Sequence, residues 1–318
     1  MVTIIIPNYN GESHLRTCIP SIIKQTYREF VLVLVDNGST DNSIAYVKEN
    51  LPGSVIIQLK TNTGFAKAVN EGIKYSSGKL NSEIILLLNN DIELDENFLK
   101  AGVDTFKNNP DVSFVASKML NYNDRNIIDD CGDSIRLKGG SPVARGHDEK
   151  DSEKYKKEDY VFGVCAGAGF YKKELFDNVG LMDERFIAYY EDFDLSFRAE
   201  LLGYKAYFQP KAICYHKRGG TSSLMKKGYQ TELCERNLVL FRFKNYPLPI
   251  YLLYQPLFFF SRLKRIIFFW RDYGFTIFYS AIKGYLRGIF IMPAFTGNRF
   301  KIQKNKKVSI KKLSNLFY

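Results

Sequence analysis

The sequence predicts an α/β protein with a mainly parallel central sheet, followed by a helical extension towards the C-terminal end. Two observations support this prediction. Runs of apolar, mostly β-branched residues alternate with helical segments through the first 120 residues, and the connections between them are short. This alternation is typical of parallel sheets, whose strands are buried on both faces and are therefore continuously apolar.

Five strands are predicted from these runs. The opening run, VTIIIP, is apolar apart from one threonine, as expected of a strand that helices cover on both faces. Each of the first four runs is followed by a segment with helical periodicity. The predicted strands lie within residues 2–7, 30–41, 54–65, 82–91 and 112–120, and the predicted helices within residues 14–26, 42–50, 66–77 and 96–109.

Beyond residue 120 the pattern is less regular. Residues 121–160 are polar, charged and rich in glycine, which predicts long loops or short strands. A helix is predicted from Asp192 to Leu202, and a strand at AICYH, residues 212–216, before a flexible basic loop.

The composition is that of a globular protein. The chain has 318 residues, enough for one large domain with an appendage, and its apolar and charged fractions allow a sizeable core. Its five cysteines form no CxxC pair, so we interpret them as reduced core thiols of a cytosolic protein. The chain begins with the strand-like VTIIIPNYN after Met1, without a basic and apolar signal segment, so export is not expected.

The net charge of +11 is concentrated towards the C-terminal end. Residues 289–318 contain seven Lys and Arg residues and no Asp or Glu. A basic tail can bind nucleic acid or an anionic membrane surface. We expect no nucleic-acid binding, because no nucleic-acid-binding module accompanies the tail.

The segment before the tail favours the membrane. From about residue 246 it is dense in aromatic residues, yet no run reaches the roughly 18 to 20 apolar residues that a spanning helix needs. A helix on residues 257–272 would separate an apolar face from a basic one, which predicts an amphipathic helix lying in the membrane plane. Packing on the main domain and an oligomer interface are the open alternatives. The apolar face holds Phe259, Leu263, Ile266, Ile267 and Trp270, the basic face holds Arg262, Lys264, Arg265 and Arg271, and a second helix groups Phe275, Phe278, Tyr279, Ile282, Leu286 and Ile289.

Small polar clusters follow the first four strands: PNYNG, DNGSTD, TNTGFA and NND. Ligands bind at the carboxyl ends of the strands in parallel α/β sheets, so we expect these clusters to meet at one site. Two acidic residues leave alternatives open here. Asp36 in DNGS and Asp91 in NND each suit a turn as well as a ligand contact.

Together with YYEDFDL, these clusters resemble the motifs of inverting family 2 glycosyltransferases, which have the GT-A fold. TIIIPNYNG, VDNGSTD, NTGFAKAVNEG and LLLNNDIELD are similar to the family's nucleotide-sugar-binding signatures, and residues 167–206 to its acceptor and catalytic half. CYHKRGGTS and ERNL, residues 235–238, resemble the rhamnosyltransferase-like branch. The resemblance covers residues 1 to about 240, with six motifs in the family's order and spacing.

The resemblance implies a glycosyltransferase domain, residues 1–240, and an aromatic and basic helical region, residues 241–318. Within the domain, residues 1–120 would bind the nucleotide-sugar and residues 121–240 would form the acceptor and catalytic half. The implied donor is a UDP- or dTDP-sugar, and the implied acceptor is a saccharide or a lipid-linked saccharide. The implied donor contacts are Pro7, Asn8, Tyr9, Asp36, Asn62, Gly64, Phe65, Lys67, Asn70, Asn89 and Asn90.

A divalent cation is expected at the donor diphosphate, because cleavage of the glycosyl–phosphate bond adds negative charge to the leaving group. Mg²⁺ and Mn²⁺ suit such a site, since hard cations take oxygen ligands and keep several waters. The resemblance makes Asp91 and His216 the metal ligands. Asn89 stands where the family commonly has a carboxylate, which removes one negative charge.

An inverting reaction needs a base that takes the proton of the acceptor hydroxyl. The resemblance makes Asp192 this base, with Glu191 beside it; capping of the following helix is the alternative role of Asp192 and Asp194. Clustered acids raise one another's pKa, which suits a base that works near neutral pH. The implied acceptor or diphosphate contacts are Gly167, Ala168, Lys217, Arg218 and Arg236, with a salt bridge as the alternative for Arg236.

We therefore expect a metal-dependent inverting glycosyltransferase, peripheral on the cytoplasmic face of the cell membrane. A sugar-phosphate nucleotidyltransferase is one alternative, but PNYNGESHL lacks the glycine-rich, Arg-containing loop that it would need after the first strand. A non-catalytic membrane-surface scaffold is the other, and the acids at positions 91, 191 and 192 disfavour it.

Overall fold

The computed structural model describes residues 1–136, 141–218, 227–314 and 316. Within them the chain forms a large central sheet, a separate two-stranded hairpin and helices that pack on the sheet. The strands are β1 Val2–Asn8, β2 Phe30–Asp36, β3 Val55–Gln58, β4 Ile84–Leu88, β5 Ile92–Leu94, β6 Val112–Asn121, β7 Ile128–Asp130, β8 Asp133–Arg136, β9 Ser141–Ala144, β10 Asp159–Val161, β11 Ala168–Lys172 and β12 Lys205–His216. The helices are α1 Glu12–Ile23, α2 Ser43–Asn50, α3 Phe65–Lys79, α4 Phe98–Asn108, α5 Lys173–Val179, α6 Glu191–Leu202, α7 Tyr229–Asn245, α8 Leu248–Leu253, α9 Gln255–Tyr273, α10 Phe275–Ile291, α11 Thr296–Asn305 and α12 Ile310–Ser314.

The central sheet has the strand order β10-β12-β6-β11-β4-β1-β2-β3. β1 lies between β2 and β4 and is parallel to both, and β3 is parallel to β2. β11 is antiparallel to both of its neighbours, β4 and β6, whereas β12 is parallel to β6. The α/β class is confirmed, but the sheet is parallel in its first half and mixed in its second. β11 follows short strands and loops instead of a crossover helix, so it can run against its neighbours.

Helices cover both faces of the first half of the sheet. On one face Leu15 of α1 and Phe98 of α4 share an apolar cluster with Ile4 of β1. On the other face Val69 of α3 shares a second cluster with Ile5 of β1. Neighbouring residues of β1 therefore enter different clusters, as the period of two in a strand requires. Burial of each such side chain stabilises the fold by about 1.5–3 kcal/mol.

The predicted strands and helices of the first 120 residues are confirmed, and β5 is an additional short strand after β4. Residues 121–160 form the short strands β7 to β10 and their connecting loops, as their polarity predicts. The basic loop expected after β12 includes residues 219–226, which lie outside the described residues.

The division expected after residue 240 falls inside α7. Leu238 and Phe241, on either side of that point, are buried in a third apolar cluster. The same cluster contains Phe197 of α6 and Phe258 of α9. The C-terminal helices therefore pack on the main domain through a helix that belongs to the core of both.

The two predicted amphipathic helices are α9 and α10, and their apolar stripe is exposed: Phe259 is 52% and Trp270 is 54% accessible. Arg262 of the predicted basic face contacts the main domain. Arg262 Nη1 lies 3.2 Å from Oε1 of the buried Glu235 on α7, and Arg265 pairs with the same carboxylate. A buried carboxylate needs cationic partners, which turns this part of the basic face towards the domain. In the described part of the chain, no helix has both the length and the apolar character required to cross a bilayer.

Candidate active site

A cavity of about 1040 Å³ lies at the carboxyl ends of β1, β2 and β4. The loop before α6 and the first turns of α7 form further walls. Ligand binding at this edge is what an open α/β topology favours. Among the residues predicted from the sequence, the cavity is lined by Pro7, Asn8, Tyr9, Asn62, Gly64, Phe65, Asn89, Asn90, Asp91, Gly167, Glu191, Asp192, His216 and Arg218.

A row of buried polar side chains links the ends of β4, β1 and β2. Asn90 Nδ2 donates to Asn8 Oδ1 at 2.8 Å, and Asn8 Nδ2 donates to Asp36 Oδ1 at 3.4 Å. Asp36 Oδ2 also accepts from the backbone N–H of Ser39 at 3.1 Å, so its carboxylate closes the turn as well. Buried polar groups require such partners. The first, second and fourth polar clusters are therefore brought together, as the sequence predicts.

The third cluster is fastened by Asn37, a residue that sequence reasoning missed. Asn37 Oδ1 accepts from the backbone N–H of Thr63 at 2.8 Å, and its Nδ2 donates to Gly64 O at 3.2 Å. Gly64 has a φ of +90°, and a Cβ there would lie 2.9 Å from Ile187 O. Both the conformation and the close approach require glycine. The N-terminus of α3 follows directly and favours a bound anion.

Asp91 lies in the turn between β4 and β5, so the turn presents its carboxylate to the cavity. Asp91 Oδ1 is 3.4 Å from His216 Nε2 at the end of β12. The other ring nitrogen, His216 Nδ1, is 2.5 Å from Asp129 Oδ2 of β7, so two carboxylates hold the imidazole. Asp129 also forms an ion pair with Arg218.

The carboxylates determine the protonation of His216. Burial acts to lower the pKa of His216, but the hydrogen bonds and charges of Asp129 and Asp91 outweigh burial and raise the pKa to about 9. Burial acts to raise the pKa of Asp91, but the hydrogen bond and charge of His216 outweigh it and lower the pKa below its ordinary value. Without a bound cation, His216 is therefore an imidazolium beside ionised Asp91 at neutral pH, and binding of a cation to Nε2 would release the proton from that nitrogen.

Asp91 and His216 suit a divalent cation whose coordination is completed by a bound ligand or by water. A carboxylate oxygen suits Mg²⁺ and Mn²⁺, and imidazole is an acceptable ligand for transition metals. Within the described residues, no group of three or more His, Cys, Asp or Glu side chains converges to form a metal cage. A cation bound here would therefore need phosphate or water oxygens, as Mg²⁺ sites in phosphate-binding proteins commonly do.

Glu191 and Asp192 begin α6 and line the same cavity. Asp192 Oδ1 accepts from the backbone N–H of Phe193 at 2.8 Å, and Oδ2 from that of Ala166 at 3.3 Å. Burial raises the pKa of Asp192, and burial together with the charge of Asp192 raises the pKa of Glu191 well above its ordinary value. Glu191 Oε2 is buried and has no hydrogen-bond partner among the described residues. Carboxyl groups with raised pKa values in a cavity are suited to proton transfer.

Asp194, the third acid of YYEDFDL, belongs to the core. Its Oδ2 accepts from Arg198 Nε at 2.9 Å and from Lys244 Nζ at 2.8 Å, and its Oδ1 from Asn245 Nδ2 at 2.8 Å. These bonds tie α6 to α7. Of the three acids in YYEDFDL, Glu191 and Asp192 therefore line the cavity, whereas Asp194 is buried in the core.

The structure gives two predicted diphosphate contacts other partners. Arg236 is 4% exposed, and its guanidinium donates to the backbone carbonyls of Arg185 and Phe186. Lys217 Nζ donates to Thr17 Oγ1 at 2.6 Å. Neither residue belongs to the cavity wall formed by the described residues.

Three further predicted contacts, and Asp36 described above, also lie outside that wall. Asn70 is buried and fastens the loop before α6, accepting from Met182 N–H at 3.0 Å and donating to Met182 O at 2.9 Å. Lys67 is half-buried on α3. Ala168 is buried in β11, where its carbonyl accepts from Ser117 Oγ at 2.8 Å. Asn70 therefore holds the loop before α6 in place instead of lining the cavity.

The cavity contains other residues that were not predicted. The run IIDD, residues 127–130, carried a signal for Asp129, because it repeats the apolar-then-polar pattern of the first four clusters. Nothing in the sequence indicated Tyr229, which reaches the cavity because α7 packs beside the loop before α6. The unpredicted lining residues are Asn37, Thr63, Asp129, His147, Cys165, Ala166, Ile187, Ala188, Tyr189, Tyr190, Phe193, Tyr229, Gln230, Leu233 and Cys234.

The architecture is that of the GT-A nucleotide-sugar transferases. It is similar to the structure of Staphylococcus aureus TarS 1–349 in complex with UDP-GlcNAc, with a TM-score of 0.61, 18% identity, and coverage of 100% of this chain and 92% of that one. It is also similar to GalNAc-T7 with UDP, GalNAc and Mn²⁺, with a TM-score of 0.56, 17% identity, and coverage of 68% and 43%. At these identities the likeness shows the fold.

The chain belongs to glycosyl transferase family 2, because the sequence model of that family matches residues 3–180, more than half of the chain. It is 24% identical over 216 residues to the poly-beta-1,6-N-acetyl-D-glucosamine synthase of Staphylococcus epidermidis, covering 67% of this chain and 49% of the synthase. It is 32% identical over 151 residues to the Escherichia coli UDP-Glc:alpha-D-GlcNAc-diphosphoundecaprenol beta-1,3-glucosyltransferase WfgD, covering 42% and 56%. The chain thus spans about half the length of these relatives. The rhamnosyltransferase-like branch stays a prediction.

Proposed function

We propose that this protein is an inverting glycosyltransferase that moves a sugar from a nucleoside-diphosphate sugar to a saccharide or lipid-linked acceptor. The observation that carries the proposal is one cavity that holds both Asp91, a carboxylate kept ionised, and Asp192, a carboxyl of raised pKa. Asp91 suits binding of a cation that balances the charge of the donor diphosphate. Asp192 suits removal of a proton from the acceptor.

The donor is a UDP-sugar, with a dTDP-sugar as the alternative. The structurally similar TarS was solved in complexes with UDP and with UDP-GlcNAc. The relatives named above are a GlcNAc polymer synthase and a glucosyltransferase that uses UDP-Glc. These names support GlcNAc or Glc over rhamnose as the transferred sugar.

The reaction is a single displacement at the anomeric carbon. The acceptor oxygen gives its proton to Asp192 as it attacks, and the nucleoside diphosphate leaves with the electrons of the broken bond. Attack opposite the leaving group inverts the configuration. Burial raises the pKa of Asp192 above that of an exposed aspartate, and the charge of Asp192 in turn raises the pKa of the adjacent, buried Glu191.

Asp91 and His216 would hold Mg²⁺ or Mn²⁺, and the ion would supply positive charge to the diphosphate as it leaves. The similar GalNAc-T7 and Pyrobaculum calidifontis mannosyltransferase structures both contain Mn²⁺. Asn89, which donates its backbone N–H to Gly167 O at 2.7 Å, connects this strand end with the glycine segment beside Asp192.

The C-terminal helices hold the enzyme on the inner face of the cell membrane as a peripheral protein. Phe260, Phe275 and Phe290 are 65%, 65% and 80% exposed, and a basic segment without acidic residues follows. Apolar side chains next to cations are the composition that binds an anionic lipid surface. The E. coli relative is named for a diphosphoundecaprenol-linked acceptor, which is a lipid.

A panel of donors tests the proposal. The protein is incubated with UDP-GlcNAc, UDP-Glc, dTDP-Glc and dTDP-rhamnose, with Mn²⁺, with Mg²⁺ and with a chelator, and nucleotide release is measured. We expect release of UDP from one UDP-sugar and its loss with the chelator. Release from no donor, together with no UDP binding by calorimetry, would contradict the proposal and favour a scaffold.

A further inference from the structure

The loop that leads into Asp192 has an unfavourable backbone. Ile187, Tyr189 and Tyr190 have φ values of +70°, +68° and +74°. Ile187 has a ψ of −65°, and the N–H of Ala188 donates to Phe186 O at 2.8 Å, which makes residues 186–188 a strained γ-turn. Positive φ is rare for residues other than glycine and strongly disfavoured for a β-branched isoleucine. Such a conformation persists only where surrounding contacts impose it.

Asn237 on α7 provides those contacts. Its side chain is fully buried, and Nδ2 lies 2.9, 2.8 and 2.7 Å from the carbonyl oxygens of Phe186, Ala188 and Tyr189. Its Oδ1 accepts from Arg236 Nε at 2.9 Å. Arg236 in turn donates to Phe186 O at 3.3 Å. The two N–H groups of one amide are thus shared among three carbonyl oxygens of the strained loop.

The helix that carries Asn237 is itself held rigidly. Gly284 of α10 lies so close to α7 that a Cβ at this position would be 2.2 Å from Glu232 O. Lys283 and Arg287 on α10 form ion pairs with Glu232 at 2.8 and 2.9 Å. Backbone packing of this kind fixes the position of α7 relative to its neighbours.

The loop connects both halves of the cavity. Ile187 O accepts from the backbone N–H of Ala66 at 3.2 Å, at the start of α3 and beside the donor-site Gly64. Tyr190 immediately precedes Glu191 and Asp192, and Tyr190 O accepts from the N–H of Asp194 in the first turn of α6. A shift of this loop would therefore move Asp192 relative to a bound donor.

We infer that Asn237, supported by Arg236, is a positioning residue that holds the loop 185–190 and thereby places Asp192 for proton abstraction. This inference rests on the proposed function. Asn237 touches neither the reacting atoms nor the cavity formed by the described residues, so it acts through the loop. Its removal should therefore affect turnover more than nucleotide binding.

The test uses Asn237→Leu, which keeps the side-chain size and removes the amide. Turnover is measured as UDP release from UDP-GlcNAc or whichever donor the wild-type protein uses, and UDP affinity is measured by calorimetry. We expect kcat to fall about a hundredfold, because small misplacements of a reacting group have effects of that order, while the Kd for UDP changes less than about threefold. The matched control is Gln209→Ala, which removes a buried amide bonded to Thr105 and Glu158, away from the loop.

A folded Asn237→Leu protein with kcat within about threefold of Gln209→Ala would overturn the inference. Equal losses of UDP affinity and kcat would also overturn it, because they indicate general disruption. Where Asn237→Leu does not fold, Arg236→Met gives the same test, because it keeps an unbranched apolar side chain and removes the hydrogen bonds to the carbonyls of Arg185 and Phe186. Wild-type turnover with any donor tests the proposed function separately.

Discussion

Asp192 combines a position at the start of α6 with burial that raises its pKa above the ordinary value of 3.8. Two backbone N–H groups, from Phe193 and Ala166, fix its carboxylate. A general base works in its ionised form, so the raised pKa determines how acid the solution can become before activity is lost.

The pH dependence of kcat follows from this shift. Because protonated Asp192 cannot accept a proton, we predict that kcat falls on acidification, with a midpoint above the pKa of an exposed aspartate, about 3.9. The fall should be about tenfold per pH unit below the midpoint. The pH profile of UDP release checks this, with UDP binding measured at each pH as the control. A kcat that stays constant down to pH 4 would contradict the assignment.

The sequence predicts the location of some site residues better than that of others. Asp91 and Asp192 were predictable because Asp91 lies in the turn after a strand, Asp192 lies at the start of a helix, and both belong to family motifs. Asp129 has a local signal in IIDD, but its contact with His216 was not predictable, since the two residues meet only after β7 and β12 have both paired with β6. Arg236 was misassigned because its direction depends on which face of α7 packs against the loop 185–190. The contacts of Asp129 and Arg236 depend on packing between elements that are distant in the sequence.

At the scale of elements, α6 carries a titratable group that opposes stability at neutral pH. Glu200 is 8% exposed, and burial raises its pKa to about 7 from 4.5. The native state therefore retains a proton that the unfolded chain releases. The cost to stability is absent below pH 4.5, grows as the pH rises towards 7 and then remains.

We predict that Glu200→Gln is more stable than the wild type at pH 8, by up to about 3 kcal/mol, and no more stable at pH 4.5. Urea denaturation at the two pH values measures the difference. Glu174→Gln on α5 is the control, because Glu174 is exposed, and it should show no such pH dependence. Equal stability of Glu200→Gln and the wild type at both pH values would refute the argument.

The packing of α10 on α7 gives a second prediction for an element. Gly284→Ala should destabilise the protein by about 1–3 kcal/mol, because its Cβ would overlap Glu232 O. Gly297→Ala is the matched control in α11, where a Cβ has no heavy atom within 4 Å. It should leave stability unchanged or raise it by up to about 1 kcal/mol. Similar unfolding midpoints for the two variants would show that the helices are not in close contact.

The elements of the first 120 residues could be read from the sequence, because apolar runs and helical periodicity are local signals. The direction of β11 could not, since an apolar run is the same for parallel and antiparallel neighbours. The continuity of α7 across residue 240 was also missed, because it depends on packing that a local sequence pattern does not show. The family motif ends near that residue, but burial of Leu238 and Phe241 continues through it.

At the scale of the whole molecule, the exposed aromatic residues lie together on the C-terminal helices. Trp270 near the end of α9 contacts Phe275 and Phe278 at the start of α10, with ring centroids 6.0 and 4.7 Å apart. Trp270, Phe275 and Phe278 define the tip of the helical hairpin formed by α9 and α10, called the hairpin tip below. An exposed apolar surface of this kind on a basic segment is the feature that supports membrane attachment.

We predict that Trp270→Gln/Phe275→Gln reduces binding to anionic liposomes at least tenfold, because two aromatic side chains no longer insert. Flotation with vesicles of anionic phospholipid measures the bound fraction. The control is Tyr160→Gln on β10, an aromatic residue that is 52% exposed. This design leaves α7 intact, whereas truncation near residue 245 would expose the third apolar cluster. Unchanged flotation would exclude attachment through the hairpin tip.

The proposed reaction depends on Asp192 acting as a base beside a nucleotide-sugar site. The most direct measurement is nucleotide release by Asp192→Asn, with UDP binding determined on the same preparation. We predict that turnover falls at least a thousandfold while UDP binds within about threefold of the wild type, because asparagine keeps the shape but cannot accept the proton. Near-wild-type turnover by Asp192→Asn would show that Asp192 is not the base.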